Sequence, residues 1–236
     1  MLDETEIEAA WLSPTWFIDS ESDEVGDFVT RATDGVDADR VSVAVALFHA
    51  VRDGIRYDPY GIDYDPHAFR ASTVAHAPTG WCVSKSVLFC ATARRAGIPA
   101  RLGFADVRNH LTSDKLLEQM GTDLFAWHGY TELLLPDPDA PGELRWFKLS
   151  TAFNIELCER FGVKVLEFDG TADALMHPFD EVGNRHMEYV RQRGSFDDLP
   201  LDEIKRDFAE IYGTSFGDPF AGGGSAEAAG DDAFTG

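Results

Sequence analysis

Lysine is scarce in this chain, with 5 among 236 residues, and cysteine is scarcer, with 3. The thiols Cys82, Cys90 and Cys158 are too few and too odd in number for a disulfide framework. None belongs to a C-x-x-C pair, so no structural zinc site or other metal is expected. A run of about 18 apolar residues is also missing, which argues against a membrane-spanning helix and a membrane partner. The first residues, MLDETEIEAAW, are acidic and lack the basic-then-apolar order of a secretory leader, so a cytoplasmic location is expected. Basic charge as a whole is short, at 20 Lys and Arg against 42 Asp and Glu, a net charge of −22. Phosphate neutralisation needs clustered bases, so nucleic acid is not an expected partner. An acid-rich, lysine-poor surface suits a halophilic setting, where screening shortens like-charge repulsion to a few ångströms. The expectation is that the protein unfolds as salt is withdrawn; equal circular dichroism at low and high salt would refute it.

The chain has material for a core, with 44% hydrophobic and 12% aromatic residues. Its organisation reads as an acidic lead-in (1–36), a main domain ending in a helical extension (37–214), and an acidic, Gly-rich disordered tail (215–236). A short helix is expected in the lead-in over roughly Glu24–Thr33. Asp37 or Asp39 caps the next helix, whose apolar face carries Val41, Val45, Leu47, Phe48 and Val51. The turn-rich DPYGIDYDPH follows; it lacks the spacing of an EF-hand and reads as a loop covering a cleft. A helix opens near Cys82 with a mostly apolar stripe and stops at Gly97 and Pro99. Strands are expected at Ala100–Val107, Trp127–Pro136 and Leu144–Ser150, the last two forming a hairpin across DPDAPGE. Short helices are expected at SDKLLEQMG and NIELCERFG, a strand at VKVLEFDG, and amphipathic segments at DEVGNRHMEYVRQRG and PLDEIKRDFAEIYG. Helices followed by antiparallel strands make an α+β layout.

Within this layout Cys82 stands where chemistry is possible. A thiol in the first turn of a helix feels the positive end of the dipole, which favours thiolate. The preceding Gly80 permits a sharp turn, and backbone N–H groups at the helix start can stabilise an oxyanion. A nucleophile needs a base, and His128, at the head of a strand, is the best-placed histidine. His49 falls in an apolar helix and reads as core; His67, His76 and His110 sit in turns; His177 and His186 lie away from the hairpin. Cys90 and Cys158 read as core. A metal site made from Cys82 and His128 lacks further ligands at suitable spacing.

Three blocks in order resemble the transglutaminase-like superfamily of papain-like cysteine enzymes: G-W-C with its helix ending A-G-I-P-A-R, then H-G-Y-T-E-L, then W-F-K-L-S-T-A-F-N. The resemblance covers roughly Val41–Asn154. It implies Cys82 as nucleophile and His128 as general base and acid, with no cofactor. It also implies an orienting residue where the family usually has Asp. Here that position is Ser150, which carries no charge to stabilise imidazolium; Asn154 is a second candidate. Trp81 and Trp127 flank the pair as candidate groove walls, and Asn109 and His110 follow the strand after the nucleophile helix. The expected function is a cysteine-dependent amide-bond enzyme acting on a peptide or protein, as peptidase, amidase or transglutaminase. The missing Asp motivates the alternative, a catalytically inactive binding or scaffold module on the same fold.

Overall fold

Two caps start the helical half as the side chains dictate. Ser22 accepts the Val25 N–H ahead of α1 (Asp23–Ala32), and Asp39, not Asp37, accepts the N–H groups of Val41 and Ser42 ahead of α2 (Arg40–Gly54). The chain continues through β1 (Arg56–Tyr57), α3 (Ala71–Val74), β2 (Thr79–Gly80) and α4 (Cys82–Arg95). Then come β3 (Ala100–Asn109), α5 (Asp114–Met120), β4 (Leu124–Pro136), β5 (Leu144–Leu149), α6 (Ile155–Phe161), β6 (Met187–Phe196) and α7 (Leu201–Tyr212). This is a computed structural model; it describes residues 2–213 apart from 61, 111, 113, 178, 179 and 181, and leaves out the side chains of 115 and 119. The stretch 215–236, expected to be disordered, lies outside the described residues.

The architecture is α+β, with the helix that opens at Cys82 packed on an antiparallel sheet ordered β5-β4-β3-β6. On its other side α4 meets α1, α2 and α3. It is therefore buried all round from Cys82 to Arg94, beyond the apolar stripe expected from its sequence. Its polar residues are tolerated because each has partners. Lys85 Nζ donates to the carbonyls of Arg52 (2.8 Å) and Ile55 (2.5 Å), closing the end of α2, and Ser86 Oγ donates to Cys82 O (2.7 Å). Desolvation lowers Lys85 to about 7. Ile18, Val25 and Phe28 of the first 36 residues belong to the same core as α4.

Two expectations for the C-terminal third are corrected. VKVLEFDG forms no strand; Val163, Leu166 and Phe168 are buried in an irregular segment whose Leu166 carbonyl accepts from Arg52 Nη1 (2.5 Å). Beyond it the β5 edge meets residue 174, by a bridge between Leu149 and Ala174. The extension after it is not all helical either: residues 187–196 form β6, antiparallel to β3. No helix among the described residues is long and apolar enough to cross a membrane.

Candidate active site

The short parallel pair β1–β2 delivers the chain to Cys82. Asp58 N–H donates to Gly80 O (2.9 Å), and Ser84 Oγ accepts the Trp81 N–H (3.1 Å) as α4 begins. Gly80 has a packing role here: a Cβ would lie 2.9 Å from Ser84 Oγ and 3.1 Å from Ile55 Cγ2. It lets β2 close on the first turn of α4, whereas Trp81 and Cys82 themselves face the cleft.

His128 reaches the same cleft through an irregularity in β4. The register pairs Ala105 with His128 and Val107 with Phe125, so two residues, Ala126 and Trp127, oppose Asp106 alone. This is a β-bulge, and it places Phe125, Ala126 and His128 together along the cleft where strict alternation would separate Phe125 from His128. Trp127 pays the conformational penalty with a φ of +59°, unusual for a bulky residue. Its surroundings hold it there. Asp106 Oδ1 accepts the Trp127 N–H (3.1 Å) and also bonds Arg193 Nε; Asp207 Oδ2 accepts Trp127 Nε1–H (3.0 Å) and Arg193 Nη1–H (2.5 Å). The Arg193 guanidinium lies 4.4 Å from the Trp127 ring centre. Trp127 is thus a structural anchor between Phe104 and Phe196, and of the two tryptophans only Trp81 lines the cleft.

Glycine at position 129 then allows α4 and β4 to touch. Its missing Cβ would sit 3.1 Å from Val83 Cα and 3.2 Å from Cys82 O. Burial pushes the Cys82 thiol up to about 11; the backbone N–H groups of Gly129, Val83 and Cys82, which favour thiolate, offset only part of that. The expectation of a thiolate at the helix start therefore fails in the resting state, because Cys82 is only 7% exposed and desolvation outweighs the backbone donors. His128 is shifted the opposite way. Burial first, and the neighbouring His186 second, hold it at about 4. Both partners are neutral at pH 7.

The remaining candidates separate. Ser150 Oγ and His128 Nε2 are each buried without a hydrogen-bond partner, so the two are not bonded to each other. Asn154 is engaged elsewhere: its Oδ1 accepts the Tyr57 N–H (3.1 Å) and its Nδ2 donates to Glu156 (2.6 Å). Asn109 lines the cleft, while His110 is exposed and 3.3 Å from Glu188. The loop after β1 contributes Pro59 and Ile62. Cys90 and Cys158 are buried free thiols, raised by desolvation to about 12 and about 11. His49 is not core: it is partly exposed and pairs with Glu167 at 2.9 Å. Among the described residues no group of three or more His, Cys, Asp and Glu is arranged to hold a metal ion.

One site residue escaped sequence reasoning. His186, placed away from the hairpin on sequence grounds, is fully buried, stacks on Phe153 (centroids 6.1 Å, 25°) and is felt electrostatically by His128. Neither of its ring nitrogens has a partner, and burial lowers it to about 4. The pairing of β6 with β3 brings it there, and no local pattern announces that pairing.

A family model described as "Transglutaminase-like superfamily" matches residues 26–151, just over half of the chain. No curated protein matches. Two solved structures are similar. One is described as a candidate cysteine protease from Cytophaga hutchinsonii, with 11% identity and a TM-score of 0.43, covering 83% of this chain and 60% of that one. The other is a transglutaminase from red sea bream, with 14% identity and a TM-score of 0.38, covering 83% of this chain and 42% of that one.

Proposed function

From the premise that the chain belongs to the transglutaminase-like superfamily, we propose that it is a cysteine-dependent enzyme acting on amide bonds of peptides or proteins. The observation that carries this reading is the meeting of Cys82 and His128 in one cleft, with the Gly129 N–H directed to the sulfur.

With thiol and imidazole both neutral, the base acts in the transition state and not through a preformed ion pair. As the Cys82 sulfur bonds to the carbonyl carbon, its proton passes to His128. The oxyanion that forms is within the reach of backbone N–H groups at the start of α4. His128 then gives the proton to the departing nitrogen, the C–N bond breaks, and a thioester on Cys82 remains. Water or an amine adds to the thioester, losing a proton to His128, and the proton returns to sulfur as the C–S bond breaks. Water yields a hydrolase and an amine a transglutaminase; hydrolysis is the preferred reading. By the resemblance Ser150 takes the family's orienting position, and in that role its hydroxyl would accept the imidazole Nε2–H.

The test is a panel of peptide amides with a fluorogenic leaving amine, run with and without an added primary amine. Cys82→Ala should show no release. His128→Ala should lose about 10³-fold or more in kcat, as catalytic dyad members do. Ser150→Ala should lower kcat with KM unchanged. Turnover by Cys82→Ala at the wild-type rate would sink the assignment. The unpartnered His128 Nε2 favours one other reading, a binding module without turnover; it predicts no thioester on Cys82 with any panel member while ligand binding persists in Cys82→Ala.

A further inference from the structure

We propose that the cleft beside Cys82 receives a bulky apolar side chain, aromatic or branched aliphatic, adjoining the scissile carbonyl. The inference deepens the amide-bond reading and rests on it for the word scissile; the binding preference itself stands on the walls of the cleft.

The space between its walls, counted out to the solvent-open mouth, is about 650 Å³. Its walls come from separate parts of the chain. Ile62 stands in the loop after β1, Met120 on α5, Phe125 on β4, Met187 at the start of β6 and Phe208 on α7. No Asp, Glu, Lys or Arg is among the described residues that line it, although 26% of the sequence is charged. The polar side chains among the lining residues are Tyr57, Cys82, Asn109, His128 and Tyr212. The Tyr212 hydroxyl accepts the Ala126 N–H (2.6 Å) and donates to Leu124 O (3.0 Å). His128 and Cys82 are held for the chemistry.

A carboxamide or ammonium side chain in such a cleft would meet mostly apolar walls, and each neutral donor left unpaired there would cost about 5- to 150-fold in affinity. An apolar chain makes no such demand and gains from displacing water. Selection therefore runs against glutamine and lysine and towards phenylalanine and leucine.

The experiment uses the full chain carrying Cys82→Ala, so that binding is read without turnover. N-acetyl-L-phenylalaninamide, N-acetyl-L-leucinamide, N-acetyl-L-glutaminamide and N-acetyl-L-lysinamide are titrated calorimetrically. The phenylalanine and leucine amides should bind at least tenfold more tightly than the other two. Adding Ile62→Asn, a partly buried loop position at the edge of the core, should weaken the phenylalanine amide about fivefold, with the melting temperature measured alongside to tell loss of the wall from loss of the fold. Equal affinity for all four, or preference for glutamine or lysine, overturns the proposal. Apolar preference in the variant alongside a wild type that forms no thioester supports the cleft assignment and removes the catalytic one.

Discussion

Cys82 should alkylate about 20- to 30-fold more slowly than free cysteine at pH 7.5, before any steric protection is counted. Burial moves its thiol up to about 11, which cuts the thiolate fraction roughly 300-fold relative to a free thiol of about 8.5. The more basic thiolate is the stronger nucleophile, and a Brønsted slope of about 0.4–0.5 recovers roughly tenfold. The sign follows from the direction of the shift. A raised thiol value keeps the neutral form over the physiological range, so the rate should climb about tenfold per pH unit and level off only near the folded value. His128→Ala should change this profile little, because a histidine held at about 4 is already uncharged at pH 7. Iodoacetamide labelling from pH 6 to 10, followed by mass spectrometry at Cys82, measures it. A fast plateau near pH 6 that vanishes in His128→Ala would mean an ion pair exists at rest, and the neutral-pair account would be wrong. Faster labelling in the presence of a bound peptide amide would show that substrate, by reordering the cleft, supplies the activation.

Gly129→Ala should lower turnover severalfold and destabilise the fold by about 1–3 kcal/mol. The added methyl would meet Val83 Cα at 3.1 Å and the Cys82 carbonyl at 3.2 Å, and both are backbone. No side-chain rotation relieves that contact. The start of α4 and β4 must part by a few tenths of an ångström, in a core that transmits strain. The displaced atoms are those that place the sulfur against the Gly129 N–H; misplacement of about 1 Å in reacting groups carries a penalty near 10²-fold, so a few tenths of that carries a severalfold one. Chemical denaturation and kcat measured together separate the two effects. Wild-type kcat in a destabilised protein would show that the close approach serves packing alone.

The parts of the fold legible in sequence were those fixed by neighbouring residues. The helix after Cys82 ends at a Gly-Pro stop, and the β4–β5 hairpin spans a short turn. Even there length was not legible: β4 begins at Leu124, so His128 stands inside the strand and not at its head. What failed depended on distant partners. The strand β6 reads as a charged amphipathic segment because one side of it is exposed; its partner β3 lies some eighty residues earlier. VKVLEFDG has strand-like composition but is tied instead to Arg52. The bulge at Trp127 leaves no sequence mark, since the ion pairs that sustain it join β3, β6 and α7. The upward pull on the Cys82 thiol is illegible in sequence for the same reason: the helix start is local, whereas burial is a property of the whole.

The cleft is completed late in the making of the chain. Cys82 precedes Tyr212, the last of its walls, by about 130 residues, while the family match ends at residue 151. At about 5–20 residues per second, a ribosome takes on the order of 10 s to cover that interval. During it the nascent polypeptide carries a thiol without β6 or α7 over it. The burial that lowers the thiolate fraction of Cys82 in the finished protein is therefore absent on the ribosome, and the nascent thiol is more open to oxidants than the folded one.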